Sequence, residues 1–98
     1  HLSTSVPVVM ETFTFLDRNT TRDVALSWKG ALDRIPFLRL LECRAKDLND
    51  AWRFFQRRDL HKLSAVDATS FVIMEKEKLR RVFTFDHHFG KAGFQIVG

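Results

Sequence analysis

Three acidic residues stand apart from the other nine in this chain, because no lysine or arginine lies within three positions of any of them. They are Glu11, Asp67 and Asp86, and each sits in apolar sequence. A carboxylate on a buried face is costly unless a basic residue from a distant segment, or a bound cation, compensates its charge. Carboxylates that converge repel one another, and a hard cation such as Mg²⁺ or Mn²⁺ relieves that repulsion. The three acids therefore predict a metal site suited to phosphoryl chemistry.

Two of these acids also have a structural interpretation. Asp67 lies three positions after Ser64, where the acid of a helix capping box belongs. Asp86 could cap the turn that follows it. Glu11 has no comparable role, because the middle of an apolar helix face is a poor place for an idle acid. Both interpretations stay open at this point.

Caps and apolar periodicity predict the elements that position the acids. They comprise helices from Ser5 to about Leu16, Thr20 to about Arg34, 46 to 58 and Ser64 to about Lys78, and strands at 37–42, 81–85 and 94–97. Residues 2–4 end a further strand, and Gly90 and Gly93 mark a loop. Short apolar strands separated by helices predict an α/β fold with a mostly parallel sheet. The helix at 46–58 is expected to bury one stripe, formed by Leu48, Ala51, Trp52 and Phe55.

Composition limits the class of protein. The chain has 98 residues, of which 45% are hydrophobic, which is enough for one domain with a core. No apolar stretch is long enough to span a bilayer. The single cysteine, Cys43, excludes an internal disulfide framework and favours a reducing, cytoplasmic location. The net charge of +4 suggests an anionic partner without proving one.

Four segments of the chain resemble one family. They are Ser5–Leu16, Ser64–Phe71, Phe83–Phe89 and Ala92–Phe94, and together they resemble the PIN-domain ribonucleases, with the toxins of VapBC toxin–antitoxin pairs as the nearest resemblance. The resemblance implies an α/β/α sandwich and an acidic cluster that binds Mg²⁺ or Mn²⁺. In this chain the catalytic and metal-binding positions would be Glu11, Asp67 and Asp86. It further implies an endoribonuclease that uses water without a covalent nucleophile, with a small antitoxin protein as partner.

The N-terminus departs from the family pattern. The family's first acid lies at the end of an opening strand, whereas no acid precedes Glu11 here. We therefore expect residues 1–98 to form a single PIN-like domain that lacks its N-terminal strand and helix. The sheet should then have a gap, filled by residues outside this chain or by a second subunit in a homodimer.

Other residues are candidates for supporting roles. Thr84 and Ser70 could orient a water molecule or a carboxylate. His87 and His88 lack the spacing of helical metal ligands. Two basic runs flank the Asp67 helix, and they supply the candidate contacts to RNA phosphates: Arg57, Arg58, Lys62, Arg80 and Arg81.

Three alternatives remain open for the chain. The basic runs could be ordinary solvated faces, since no aromatic-rich RNA-binding motif accompanies them. The domain could be a catalytically inactive PIN-like module that binds RNA or protein. It could also be a plain α/β domain in which all three acids are structural.

Overall fold

A computed structural model describes residues 2–84 and 87–97 of the chain. The chain divides into two compact units, an N-terminal unit at His1–Glu42 and a C-terminal unit at Cys43–Gly98. Each unit contains helices and a pair of parallel strands.

The N-terminal unit consists of two helices between two paired strands. Its elements are β1 (Ser3–Ser5), α1 (Val6–Asn19), α2 (Arg22–Asp33) and β2 (Arg39–Leu41). Strands β1 and β2 run parallel with Thr4 opposite Leu40, as the two-helix connection between them allows. The predicted strand at 37–42 is shorter, because Phe37 has a φ of 62° and turns the chain before β2.

Side-chain caps start both helices of this unit. The Ser5 hydroxyl accepts a hydrogen bond from the Val8 N–H at 3.4 Å, which confirms the predicted cap of α1. The cap of α2 is Thr21 rather than Thr20, and its hydroxyl accepts from the Val24 N–H at 3.1 Å. Burial in this unit is slight: α1 has no buried residue, and α2 buries Ala25 alone.

The C-terminal unit is built around one buried helix. Its elements are α3 (Ala45–Ala51), a 3₁₀ helix (Trp52–Gln56), α4 (Ala65–Lys76), β3 (Arg81–Phe83), α5 (His88–Lys91) and β4 (Gln95–Val97). Strands β3 and β4 are parallel, with Val82 opposite Ile96. In α4 the seven consecutive residues 68–74 are buried, so the helix has no solvent-facing stripe over that length.

Aromatic rings surround the middle of α4. The Phe71 ring lies 5.0 Å from Phe54, 4.8 Å from Phe89 and 5.8 Å from Phe94, measured between centroids. The first two pairs meet edge to face, a favourable geometry that adds to the burial of apolar area. This cluster fixes α4 within its unit.

The predicted helix at 46–58 is wrong in its second half. The chain changes from α-helix to 3₁₀ helix at Trp52. Because a 3₁₀ helix has three residues per turn, side chains three positions apart align along it. Ala51 and Phe54 therefore both face the core, whereas Trp52 is 49% exposed and Phe55 is 43% exposed. The predicted burial of Trp52 and Phe55 is thus corrected, and so is that of Leu48 in α3, which is 41% exposed.

Two other local predictions change. Gly90 belongs to the short helix α5 rather than to a loop, while Gly93 has a φ of 103° and does turn the chain. The strand predicted at 81–85 is observed at Arg81–Phe83. The last residue of the predicted range lies outside the described part of the chain.

The described strands confirm the parallel pairing but form two separate two-stranded sheets. Whether a further strand fills a gap stays a prediction. None of the helices in 2–84 and 87–97 combines the length and apolar character needed to cross a membrane.

Candidate functional site

Asp67 lies in the first turn of α4, the most deeply buried helix of the C-terminal unit. The Ser64 hydroxyl accepts a hydrogen bond from the Asp67 backbone N–H at 3.0 Å, which confirms Ser64 as the cap. This contact uses the backbone of Asp67 rather than its carboxylate. Asp67 itself is half-buried. The positive end of the α4 dipole favours a negative charge at this position, so the packed helix both holds and stabilises the carboxylate.

Glu11 lies in the middle of α1, as predicted, but its surroundings differ from the prediction. The residue is exposed, and its apolar neighbours Met10 and Phe15 are 65% and 62% exposed. The argument that burial forces a compensating charge on Glu11 is therefore wrong. The argument fails because α1 carries apolar residues but buries none of them. Glu11 remains a candidate ligand on its chemistry alone.

The third acid, Asp86, lies outside the described residues. Glu11 belongs to the N-terminal unit and Asp67 to the C-terminal unit. The convergence of the three acids thus stays a prediction. Within the described ranges 2–84 and 87–97, no three His, Cys, Asp or Glu side chains form a group that could hold a metal ion.

The chemistry of the candidate donors fits a hard cation. Carboxylate oxygens are the ligands that Mg²⁺ and Mn²⁺ prefer, and all three candidates are carboxylates. A neighbouring imidazole is engaged elsewhere: Nε2 of the buried His88 lies 2.5 Å from the His61 carbonyl oxygen. That contact connects α5 to the loop before α4.

The predicted supporting residues have different settings. Ser70 is buried in α4, and its hydroxyl donates to the Val66 carbonyl at 3.1 Å. Thr84 is half-buried and directly follows β3. Their supporting roles at a metal site stay predictions.

The basic candidates also separate into two kinds. Arg57 is engaged within the protein, since Nε and Nη2 donate to the Asp59 carboxylate at 3.1 and 2.6 Å. These hydrogen bonds hold the pKa of the Asp59 carboxyl below its usual value. Arg58 and Lys62 are exposed and have no hydrogen bond or ion pair with any residue that the structure describes. Arg80, directly before β3, and Arg81, its first residue, are exposed as well.

A concave surface lies directly before α4 and includes several of these residues. It is an open depression with a volume of about 470 Å³, and three kinds of side chain line it. They are the aromatic Phe55, the basic or ionisable Arg57, Arg58, His61 and Lys62, and the buried apolar Leu60 and Leu63. We call this surface the pre-α4 groove.

Sequence reasoning missed two features of this unit. Trp52 and Phe55 form an exposed aromatic pair with ring centroids 5.4 Å apart, which only the switch to 3₁₀ geometry reveals. Asp47 is buried and accepts hydrogen bonds from the Arg44 N–H at 2.9 Å and the Lys76 Nζ at 2.8 Å. The contact with the Arg44 N–H spans three positions at the start of α3, whereas the contact with Lys76 joins elements distant in sequence.

Comparison with known proteins identifies the family. The model of the PIN domain family matches residues 1–95. Two curated relatives, both named 23S rRNA-specific endonuclease VapC20 and from two strains of Mycobacterium tuberculosis, are each 36% identical over 95 residues. The match covers 96% of this chain and 71% of each relative.

A solved structure agrees with this result. The crystal structure of Mycobacterium tuberculosis VapC20, described as a Sarcin-Ricin loop cleaving toxin, matches with a TM-score of 0.82 and 34% identity. That match covers 94% of this chain and 70% of the solved one. The two parallel strand pairs and the family match across both units therefore lead to one conclusion: this chain is a member of the PIN-domain family, with its α/β fold, and is related to the VapC20 toxin.

Proposed function

We propose that the chain is a metal-dependent endoribonuclease that hydrolyses RNA phosphodiester bonds and serves as the toxin of a toxin–antitoxin pair. The carrying observation is Asp67, a half-buried carboxylate in the first turn of the buried helix α4, in a chain 36% identical to a 23S rRNA-specific endonuclease. Its expected partners are an RNA substrate and a small antitoxin protein in the cytoplasm.

Glu11, Asp67 and Asp86 are the residues proposed to hold Mg²⁺ or Mn²⁺. The bound cation would supply Lewis-acid activation of water and would offset charge at the phosphoryl centre. In the hydrolysis, a bond forms between a water oxygen and phosphorus, one phosphorus–ester oxygen bond breaks, and the proton from water goes ultimately to the departing oxygen. No side chain becomes covalently attached to the RNA.

The protein itself would contribute the position of a metal ligand and a positively charged surface for the RNA. The packing around Phe71 keeps α4 in place, and α4 keeps the Asp67 backbone in place through the Ser64 cap. The exposed cations Arg58 and Lys62 lie in the segment that leads into α4 and would hold RNA phosphates. A carboxylate and cations close in sequence thus provide a metal ligand and an anion-binding surface.

The test is the substitution Asp67→Asn, which keeps the side-chain size and removes the charge. We expect Mg²⁺- or Mn²⁺-dependent RNA cleavage to fall on the order of 100-fold or more, because a metal ligand contributes several kcal/mol to the transition state. The assay follows end-labelled RNA on denaturing gels, with chemical unfolding measured in parallel. The substitution leaves the Ser64 cap contact in place, since that contact uses the backbone N–H of Asp67.

Asp23→Asn is the matched control. Asp23 is an exposed aspartate in the first turn of α2, so the control removes the same charge from the first turn of another helix. It should cleave RNA like the unaltered protein. Full metal-dependent cleavage by Asp67→Asn would contradict the proposed role of this residue.

A further inference from the structure

The pre-α4 groove contains an exposed aromatic ring beside cationic side chains that form no ion pair with the described residues. Phe55 is 43% exposed and lines the groove, and its ring lies 5.4 Å from the exposed Trp52 ring. Exposed aromatic rings of this kind are surfaces on which unpaired nucleic-acid bases stack, whatever their sequence. The sequence alone did not indicate this surface, because both aromatic residues were expected in the core.

The charge of the groove favours an anion. Asp59 is the acid within the loop, and its carboxylate is paired with Arg57. Arg58 and Lys62 remain exposed, with no ion pair to the part of the chain that the structure describes. Two cations beside an aromatic ring match the phosphates and base of a single-stranded nucleotide better than they match an apolar protein segment.

The loop that forms the groove, residues 57–63, is held in place by contacts with α5. Nη2 of Arg57 donates to the Lys91 carbonyl at 2.8 Å, and Nζ of Lys91 donates to the Asp59 carbonyl at 3.2 Å. The His88 contact with the His61 carbonyl adds a third connection between α5 and the loop. Lys62 itself has a φ of 56°, a conformation that a non-glycine residue keeps only where its surroundings enforce it. The groove is therefore a preformed surface.

We propose that the pre-α4 groove binds an unpaired nucleotide of the RNA, with the base stacked on Phe55 and neighbouring phosphates held by Arg58 and Lys62. This inference rests on the proposed ribonuclease function, and it names the substrate feature that the protein grips. Lys62 is five positions before Asp67, so their Cα atoms are at most about 18 Å apart, given ~3.3–3.6 Å per residue of extended chain. A strand held in the groove thus lies within a few nucleotides of Asp67.

The first experiment tests stacking. A fluorescein-labelled single-stranded RNA of about ten nucleotides, within the footprint of such sites, is titrated with the full chain while EDTA prevents cleavage. Fluorescence anisotropy gives the affinity. Phe55→Leu keeps apolar volume but loses the aromatic face, and we expect it to weaken binding roughly tenfold or more. Phe55→Trp, which restores a stacking surface, should bind within about twofold of the unaltered protein, because each base keeps its aromatic partner.

The second experiment tests the cations. For single strands, each phosphate contact contributes about 0.7 to the slope of log affinity against log salt concentration. The double substitution Arg58→Gln with Lys62→Gln should therefore flatten the slope by about 1.4. Arg18→Gln in α1 removes an exposed arginine far from the groove in sequence, and it should leave the slope unchanged.

Inorganic polyphosphate distinguishes nucleotide binding from general anion binding. The affinity for polyphosphate should fall in the double substitution of Arg58 and Lys62 but not in Phe55→Leu, because polyphosphate has no base to stack. If Phe55→Leu weakens polyphosphate as much as RNA, the substitution has disturbed the loop, and the stacking proposal is overturned. Unchanged RNA affinity in Phe55→Leu also overturns it.

These results separate the groove from the catalytic proposal. Binding is measured without metal, so it does not depend on cleavage. Loss of RNA affinity in Phe55→Leu supports the groove even if Asp67→Asn cleaves normally, which would defeat only the catalytic assignment. Suppose instead that Phe55→Leu and the double substitution Arg58→Gln with Lys62→Gln both bind RNA normally, while Asp67→Asn loses cleavage. That outcome would overturn only the proposal for the groove.

Discussion

The helices α1 and α4 carry the two described candidate acids, and both begin at a capping serine, yet their surroundings are opposite. In α4 seven consecutive residues are buried, whereas α1 buries none. Large apolar side chains of the N-terminal unit stay exposed, and the most exposed are Leu2, Met10, Phe15 and Phe37. The C-terminal unit instead packs three aromatic side chains, Phe54, Phe89 and Phe94, around Phe71.

This difference shows that apolar content and burial are separate properties. Helical caps and turns follow from nearby residues, so they occur in both units. Burial depends on what packs against a helix, and it differs although the local sequence signals are alike. Asp67 therefore lies on a helix that is packed on all sides, whereas Glu11 lies on an exposed helix surface within the structure described.

The largest expected effect comes from the core of the C-terminal unit. Phe71→Ala removes the ring at the centre of the aromatic cluster and should reduce the free energy of unfolding by about 3–5 kcal/mol. Phe15→Ala, at a 62% exposed position of α1, should change it by no more than about 0.5 kcal/mol. Urea unfolding followed by circular dichroism measures both. Equal losses from the two substitutions would show that the contrast between the units is wrong.

An intermediate effect is expected for the buried acid Asp47. Asp47→Asn removes the charge that accepts from Lys76 Nζ and the Arg44 N–H, and it should cost about 1–2 kcal/mol at neutral pH, since Lys76 is partly exposed to solvent. Asp33→Asn is the matched control in the N-terminal unit. Its pair with Lys29 is exposed, so the cost should be about 0.5 kcal/mol or less.

The effect of Asp47 depends on pH in a defined direction. The hydrogen bond from Lys76, followed by the one from the Arg44 N–H, lowers the pKa of Asp47 below its usual 3.8. Its contribution to stability is thus fully present above pH 3.8 and is lost as the pH falls through the lower folded-state pKa. Unfolding curves of the unaltered protein and Asp47→Asn should converge as the solution is acidified. A gap that widens on acidification would contradict this assignment.

The smallest effect has the opposite sign. Lys78 follows the C-cap of α4 with a φ of 58°, and the Leu79 N–H donates to the Met74 carbonyl at 2.8 Å, as in a Schellman motif. Glycine adopts this conformation without strain, so Lys78→Gly should stabilise the protein by about 1 kcal/mol. Ala31→Gly, within α2, should instead destabilise it by about 0.5–1 kcal/mol. Thermal unfolding of the two variants tests whether the sign reverses.

Local chemistry made much of the fold predictable. Ser5 and Ser64 were identified as caps because a side-chain oxygen next to an apolar run satisfies N–H groups at a helix start. The parallel pairing followed from helices between the strands, and the family resemblance followed from motifs around Asp67 and Asp86. These signals act over a few residues, or they are preserved as short motifs.

Longer-range effects were not predictable. Trp52 and Phe55 fit an α-helical stripe, but the change to three residues per turn directs Phe54 into the core instead. The exposure of Glu11 depends on what packs on α1, which no nearby residue determines. The groove was not predictable for the same reason. Its aromatic surface depends on the 3₁₀ helix, and the contacts that support it come from a segment distant in sequence.

The three contacts between α5 and the groove loop also set an order of events during protein synthesis. They join residues 27, 32 and 34 positions apart, and the α5 partner always comes later in the chain. At ~5–20 residues per second, a ribosome needs roughly 1–7 s to make that intervening stretch. The groove loop is therefore synthesised before the helix that supports it. The loop can thus reach its supported conformation only after the α5 segment has also left the ribosome.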